Sequence, residues 1–258
     1  MTAPKIYFAN RTEFPKDSWK IVAERILSVD ERRRADSYVR EDLSLDFAFS
    51  RLVLRRVLAN HLQVRPNEIR FGKGRYGKPF LERPKVRLTF NLSHCANVVV
   101  VAINEQGNGI GIDVESEDSL NGSANDLWNL SRAFSSREIT NISRLDTRSK
   151  REAVIRSWTL KEAYAKALGA GLNLPLKSAE FYMDEELVFS AALKNSPLNA
   201  AHFSFAHLSP ETGLWVSAAI CGSHEGIIFY RIGSEFLFGS ETGQDTCVCK
   251  YYRCVIDM

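Results

Sequence analysis

The chain of 258 residues is long enough for one large domain or two small ones, and 45% hydrophobic with 25% charged residues is ordinary for a globular protein with a buried core. Lys and Arg number 34 against 31 Asp and Glu, and the resulting net charge of +3 is too weak to argue for nucleic acid or a membrane as partner. No apolar run reaches the length of a membrane span, and no signal-peptide pattern opens the chain. Five cysteines, an odd number, indicate reduced thiols in a cytoplasmic protein.

The first half of the chain combines short apolar strands with basic helices. Asp30 is predicted to cap a basic helix, and apolar residues at helical spacing predict an amphipathic helix over residues 43–62. A glycine-rich basic loop at 71–80 lacks the spacing of a Walker A phosphate loop. Strands are predicted at residues 5–9, 86–91, 97–103 and 109–115.

The second half opens with a polar loop at 116–125 and two helical stretches, at 126–145 and 149–168. Further strands are predicted in a hairpin over 179–193 and at 202–208, 214–221 and 227–232. Strand meanders separated by helices favour an α+β fold over a parallel βαβ sheet. The predicted division is an N-terminal lobe at 1–108, a C-terminal lobe at 109–232 and a peripheral tail at 233–258.

The glycine-flanked strand at 109–115 carries two carboxylates, Asp113 and Glu115. Because the side-chain period of a strand is two, both leave the same face. Two like charges side by side favour a cation between them, and Mg²⁺ prefers oxygen ligands of this kind. A strand with its polar face in water is the alternative interpretation, which the strand alone leaves open.

The helix predicted at 149–168 places Trp158, Glu162 and Lys166 four residues apart, on one face. Gly169 is suited to end it. A third carboxylate with a lysine one turn away could join the two on the strand. The alternative is an ordinary Glu–Lys pair on a helix surface.

Ser93 and His94 follow each other at the end of a predicted strand. Adjacent strand residues point to opposite faces, so the two do not form a nucleophile–base pair, and anion binding suits them better. In the loop at 71–80, glycines free backbone N–H groups and Lys78 adds a positive charge. A plain turn and a packed histidine are the alternatives.

Four motifs together resemble a known family. Residues 111–115 (GIDVE) and 158–166 (WTLKEAYAK) are similar to the two signatures of 4′-phosphopantetheinyl transferases of the surfactin-synthetase-activator type. Residues 76–79 (YGKP) and 91–94 (NLSH) resemble accessory motifs of that family and occur in the right order. The resemblance covers roughly residues 5–225.

The resemblance implies an α+β chain of two pseudo-symmetric lobes with coenzyme A bound between them. Such an enzyme moves the 4′-phosphopantetheine arm of coenzyme A to a serine of an apo acyl or peptidyl carrier protein and releases 3′,5′-ADP. It depends on Mg²⁺, and its partners are coenzyme A and the carrier protein. A monomer is expected, with no nucleic-acid or membrane partner.

The motif positions carry expected roles. Asp113, Glu115 and Glu162 match the metal ligands, and Glu162 is also the expected base for the serine hydroxyl. Lys166 matches the lysine on the diphosphate and is expected to be catalytic as well. The positions expected to bind coenzyme A are Arg34, Lys78, Ser93, His94, Lys161 and Lys166.

One position departs from the family pattern. An arginine that some members carry early in the second helix falls on Asp46 here, which leaves open whether the contacts to the 3′-phosphate are complete and whether Arg51 replaces that arginine. A protein that binds coenzyme A or a carrier without catalysis is the alternative function.

Overall fold

The structure is a computed structural model that describes residues 3–117, 133–169, 175–183, 189–193, 203–222, 226–238 and 248–252. The strands in these ranges are β1 Lys5–Asn10, β2 Arg70–Lys73, β3 Pro79–Arg83, β4 Thr89–Cys95, β5 Val98–Asn104, β6 Ile110–Ser116, β7 Ala179–Met183, β8 Phe189–Leu193, β9 Phe203–Leu208, β10 Leu214–Cys221, β11 Ile227–Arg231 and β12 Val248–Tyr252. The helices are α1 Lys16–Ile26, α2 Val29–Asp36, α3 Glu41–Leu62, α4 Ser136–Ser143, α5 Thr147–Leu168 and α6 Ser234–Phe238.

The first lobe is built on a sheet with the strand order β12-β11-β1-β5-β4, in which only β1 and β11 are parallel. Helix α3 packs its apolar side chains on this sheet, as the helical spacing predicts. Its buried residues include Phe49, Leu52, Val53 and Val57, which share a core with Val99 and Val101 of β5. The chain then leaves α3 through Gln63, whose φ of 53° ends the helix.

The second lobe repeats this plan. Its sheet has the antiparallel order β6-β10-β9, and helix α5 lies across it. Both α3 and α5 have 22 residues and end at a residue in the left-handed region, Gln63 and Gly169. Leu160 and Tyr164 of α5 share a core with Phe203 and Phe205 of β9. The predicted α+β fold with two similar lobes is confirmed.

An apolar core joins the two lobes. Ile6 and Phe8 of β1 are fully buried in the same cluster as Ile110 and Ile112 of β6 and Val216 of β10. Strand β6 therefore lies at the junction, with its apolar residues in this core and its acidic residues on the other face. No helix among the described residues is long and apolar enough to cross a membrane.

The end of the chain differs from the predicted division. Strand β11 joins the sheet of the first lobe through its parallel pairing with β1, so the second lobe does not extend to residue 232. Phe236 and Leu237 of α6 are buried in the first-lobe core, and β12 pairs with β11. Residues 233–238 and 248–252 thus belong to the first lobe rather than to a peripheral tail.

Local boundaries also differ. Ser28, not Asp30, caps α2, because its hydroxyl accepts from the Glu31 N–H at 3.2 Å while the Glu31 carboxylate accepts from the Ser28 N–H at 2.9 Å. The glycine-rich stretch at 71–80 contains most of the hairpin β2–β3. The predictions for 118–132, for the hairpin turn at 184–186 and for Cys247 and Cys254 lie outside the described residues.

Candidate active site

A glycine allows helix α5 to pack unusually close to strand β6. A Cβ atom at Gly111 would lie 2.0 Å from the Ala163 carbonyl oxygen and 2.3 Å from the Ala167 nitrogen. These contacts are with backbone atoms, so no side-chain rotation could relieve them, and only glycine fits. The close approach brings Glu162 and Lys166 of the helix to Asp113 of the strand.

Asp113 is the centre of the site. Only 4% of the residue is exposed, and its Oδ1 accepts hydrogen bonds from Lys166 Nζ at 2.5 Å and from Ser93 Oγ at 2.9 Å. Lys166 Nζ also donates to Ser93 Oγ at 3.0 Å, which leaves one N–H group of the ammonium. The second oxygen, Oδ2, is buried without a partner. Burial raises the pKa of Asp113, and the Lys166 charge opposes that rise.

The other two carboxylates border Asp113. Burial and the charge of Asp113 raise the pKa of Glu162, against the lowering effect of Lys166. Glu115 accepts a hydrogen bond from Trp158 Nε1 at 3.3 Å. Across the described part of the chain, no three His, Cys, Asp or Glu side chains come together closely enough to hold a metal ion by themselves. The carboxylates therefore line one site without forming a complete protein cage.

The residues present nevertheless fit Mg²⁺. This ion usually takes only one or two carboxylates and completes its shell with water and substrate phosphates. A buried carboxylate oxygen without a donor, as at Asp113, is costly to leave unpaired and suits a cation. The burial of Asp113 also removes the interpretation of β6 as a strand with its acidic face in water.

His94 lies at the exposed edge of this site, on the face of β4 opposite to Ser93. Loss of water around the imidazole and the nearby charge of Lys166 lower its pKa, and the charges of Asp46 and Asp113 act in the opposite direction. Asp46 itself lies 3.0 Å from the Arg11 guanidinium. Asp46, the residue at which this chain departs from the family pattern, is thus paired with Arg11 of the first lobe.

A cavity of about 630 Å³ lies between α2, α3 and the β2–β3 hairpin. Cationic and aromatic residues line most of it, including Arg34, Arg51, Arg70, Lys73, Phe47 and Phe71, and the acidic residues Asp30, Glu31 and Glu82 also contribute to its walls. Gly77 and Pro79, on either side of Lys78, also line it. A cavity of this chemistry suits a phosphorylated nucleotide, because arginine pairs with phosphate and aromatic rings stack on a base.

Within this cavity Arg34 differs from the other arginines of α2 and α3. Arg51 and Arg55 both pair with the Glu31 carboxylate, at 2.6 and 2.7 Å. Arg34 has no carboxylate partner among the described residues, and its guanidinium lies 5.0 Å from the centre of the Phe47 ring. It is therefore the cation of α2 best placed to meet a phosphate.

Lys78 was expected to contact phosphates of coenzyme A, but in the structure it contacts backbone carbonyl groups. Its Nζ donates to the backbone oxygens of Ile110 at 2.9 Å, Lys166 at 2.6 Å and Ala167 at 3.3 Å. Burial lowers its pKa to about 8. Two of these hydrogen bonds cap the end of α5 and the third reaches β6. All three N–H groups are engaged, so a contact with phosphate would require Lys78 to leave these carbonyls.

Lys161 lies outside the site, which corrects the expected role in binding coenzyme A. Its side chain is fully buried and pairs with the equally buried Glu138 carboxylate at 3.0 Å. The ammonium also donates to the carbonyl oxygens of Leu176 and Ala179. Lys161 therefore ties α5 to α4 and to the start of β7 and has no access to a ligand between the lobes.

Comparisons with known proteins identify the family of this chain. Residues 109–219 match the family model described as the 4′-phosphopantetheinyl transferase superfamily, and residues 14–106 match the model of a 4′-phosphopantetheinyl transferase N-terminal region. The chain is 32% identical over 199 residues to 4′-phosphopantetheinyl transferase HetI of Nostoc sp., a match that covers 76% of this chain and 79% of the relative. It is 30% identical over 146 residues to 4′-phosphopantetheinyl transferase Sfp of Bacillus subtilis, covering 56% and 61%.

Among solved structures, a holo-(acyl-carrier-protein) synthase from Bacillus anthracis, crystallised with CoA (3′,5′-ADP), matches 45% of this chain and 96% of its own, at 19% identity and a TM-score of 0.38. The family assignment rests on the sequence matches. The chain belongs to the 4′-phosphopantetheinyl transferase superfamily, and the prediction of a phosphopantetheinyl transferase is confirmed.

Proposed function

We propose that this protein transfers the 4′-phosphopantetheine arm of coenzyme A to a serine of an apo acyl or peptidyl carrier protein, with Mg²⁺, and releases 3′,5′-ADP. The observation that carries the proposal is the Lys166–Asp113 pair, 2.5 Å apart, with the second Asp113 oxygen unpartnered. A cation and an open carboxylate oxygen side by side suit a diphosphate that arrives with a metal ion.

Coenzyme A would span from the cavity to Asp113. The nucleotide would occupy the cavity, with the 3′-phosphate on Arg34 and the base against aromatic side chains. The diphosphate would meet the remaining N–H group of Lys166, and His94 at the site edge would contact the phosphates. Ser93, bonded to both Lys166 and Asp113, would hold the two in place. Lys78 would contribute indirectly, because it caps the end of α5 that carries Lys166.

Asp113, Glu115 and Glu162 would hold the metal together with the phosphates. When bound, Mg²⁺ would neutralise charge on the diphosphate and make its phosphorus a better electrophile.

In the chemical step, the carrier serine oxygen forms a bond to the phosphorus that bears the pantetheine arm. The bond from that phosphorus to the bridging oxygen breaks, and 3′,5′-ADP leaves with the electron pair. Glu162, directly or through a water that it holds, accepts the serine proton. Lys166 neutralises the charge that develops on the leaving oxygen.

The test is a quantitative assay for 3′,5′-ADP in mixtures of the protein, coenzyme A and apo carrier proteins. Nucleotide release should require a carrier, stop with EDTA and return with excess Mg²⁺. Calorimetry on the same sample measures coenzyme A binding. Binding without nucleotide release, with fatty-acid, polyketide and nonribosomal-peptide carriers alike, would overturn the proposal in favour of a non-catalytic binding protein.

A further inference from the structure

A row of polar residues crosses the second-lobe sheet beside Asp113. Ser217 of β10 is the register partner of Asp113 on β6 and of His207 on β9. Directly opposed residues of antiparallel strands point to the same face, so the three side chains stand in one row beneath helix α5. Ser217 is fully buried and is the neighbour of Asp113 across the sheet.

The hydrogen bonds of this row run in one direction. Arg156 Nε donates to His207 Nε2 at 3.0 Å, and because a guanidinium cannot accept, this ring nitrogen carries no hydrogen. Burial and the charge of Arg156 lower the pKa of His207 to about 3, so the ring is neutral at physiological pH. Its single hydrogen is therefore on Nδ1, which donates to Ser217 Oγ at 2.7 Å.

The chain of bonds closes on the residue where it begins. Thr159 Oγ1 donates to the carbonyl oxygen of Arg156 at 3.0 Å and lies 2.7 Å from Ser217 Oγ. Since the one hydroxyl hydrogen of Thr159 is used, the hydrogen between the two hydroxyls is that of Ser217. The His207 Nδ1 hydrogen and the Ser217 and Thr159 hydroxyl hydrogens thus all have acceptors inside this ring, while the Arg156 guanidinium also donates to Glu152 outside it.

Because Ser217 is held in this ring, its hydroxyl does not donate a hydrogen bond to Asp113 Oδ2. A buried carboxylate is a stronger acceptor than a hydroxyl, so an uncommitted Ser217 hydroxyl would turn toward the unpartnered Asp113 Oδ2. We propose that the ring is a positioning device that holds the Ser217 hydroxyl on Thr159 and so keeps Asp113 Oδ2 available to a cation. The inference rests on the proposed function only in taking that cation to be the metal of the transfer reaction.

The variant Thr159→Val tests this directly, because it keeps the shape of the side chain and removes the acceptor for the Ser217 hydrogen. The expected result is a loss of about tenfold in affinity for Mn²⁺, used as a spectroscopic probe and measured by electron paramagnetic resonance on protein with coenzyme A. Thr159→Val/Ser217→Ala should recover most of the affinity, because no hydroxyl remains to occupy Asp113. Ser217→Ala alone should bind Mn²⁺ like the wild type.

A packing role for Thr159 would give a different pattern. The second substitution would then remove more contacts and would not restore metal binding, and the melting temperature would follow the affinity. Wild-type affinity in Thr159→Val, no recovery in the double variant, or no Mn²⁺ binding by the wild type would each overturn the proposal. The 3′,5′-ADP assay on the same wild-type sample distinguishes the ring proposal from the proposed function. If the wild type transfers the arm and Thr159→Val binds Mn²⁺ with wild-type affinity, the ring proposal alone is overturned.

Discussion

Lys166 and Asp113 connect the elements of the site through a single carboxylate oxygen. Lys166 Nζ lies 2.5 Å from Asp113 Oδ1, which also accepts from Ser93 of the first lobe. The pair joins helix α5 to strand β6, and the serine extends the contact to β4. The other Asp113 oxygen is buried with no partner, so the pair is only half satisfied as it stands.

A double-mutant cycle on this pair measures its contribution. Lys166→Met leaves a buried carboxylate without its cation, and we expect the free energy of unfolding to fall by about 3 kcal/mol. Asp113→Asn/Lys166→Met should lose less than the two single variants together, with a coupling of about 1 kcal/mol or more. Each single variant should lower the transfer rate about 100-fold. Urea unfolding followed by circular dichroism checks the stabilities, and additive losses would contradict the pairing.

Gly111→Ala should damage both fold and activity. The added Cβ would lie 2.0 Å from the Ala163 carbonyl oxygen, so α5 must move away from β6. We expect a loss of about 3 kcal/mol in unfolding free energy and a slower transfer step, because Glu162 and Lys166 move with the helix. Gly109→Ala is the matched control, since its nearest contact is 3.1 Å and should cost less. Wild-type stability and rate in Gly111→Ala would show that the helix does not need this contact.

The local pattern of the sequence predicted the part of this site that lies on β6 and α5. The period of two placed Asp113 and Glu115 together, and the spacing of four placed Glu162 with Lys166, because both depend only on backbone geometry. The same geometry indicates that Lys161, one residue before Glu162, is turned about 100° away from it, toward the core. Lys161 was nevertheless expected to bind coenzyme A because it lies inside the family motif at 158–166.

Other features depend on contacts between distant parts of the chain. The parallel pairing of Lys5 with Ile228 joins segments that are far apart in the sequence, and no local periodicity encodes it. The partners of Lys78 are carbonyl groups on β6 and at the end of α5, which come within its reach only when the lobes meet. The close packing of α5 at Gly111 could have been predicted from one feature of the sequence. A glycine inside an apolar strand often marks a position where another backbone approaches closely.

Arg34→Ala tests the proposed site of the 3′-phosphate. Loss of a hydrogen bond to a charged phosphate should raise the KM for coenzyme A about tenfold. The KM for dephospho-coenzyme A, which lacks that phosphate, should change little. Arg33→Ala is the control from the same helix, because Arg33 is exposed, does not line the cavity and lies 3.8 Å from Asp30. Equal increases for both substrates would move the 3′-phosphate away from Arg34.

His207 predicts a loss of stability in acid. Its pKa is about 3 in the folded chain against an ordinary value of 6.5, so below pH 6.5 the unfolded state binds a proton that the folded state does not. Stability attributable to His207 should therefore fall as the pH falls from 6.5 toward 3, by up to about 1.4 kcal/mol per pH unit. Urea unfolding at several pH values compares wild type with His207→Phe, which should have the shallower slope. Parallel slopes would show that His207 takes up its proton at the same pH in the folded and unfolded chains.

The most direct measurement is intact-mass spectrometry of apo carrier proteins after incubation with coenzyme A, Mg²⁺ and either wild type, Glu162→Gln or the control Glu235→Gln on the exposed face of α6. Wild type and Glu235→Gln should add one phosphopantetheine unit to a carrier serine. Glu162→Gln should be slower by a factor of about 100 or more, with an unchanged melting temperature. A near-wild-type rate for Glu162→Gln would contradict its role as base, and no mass gain on any carrier with the wild type would contradict the account as a whole.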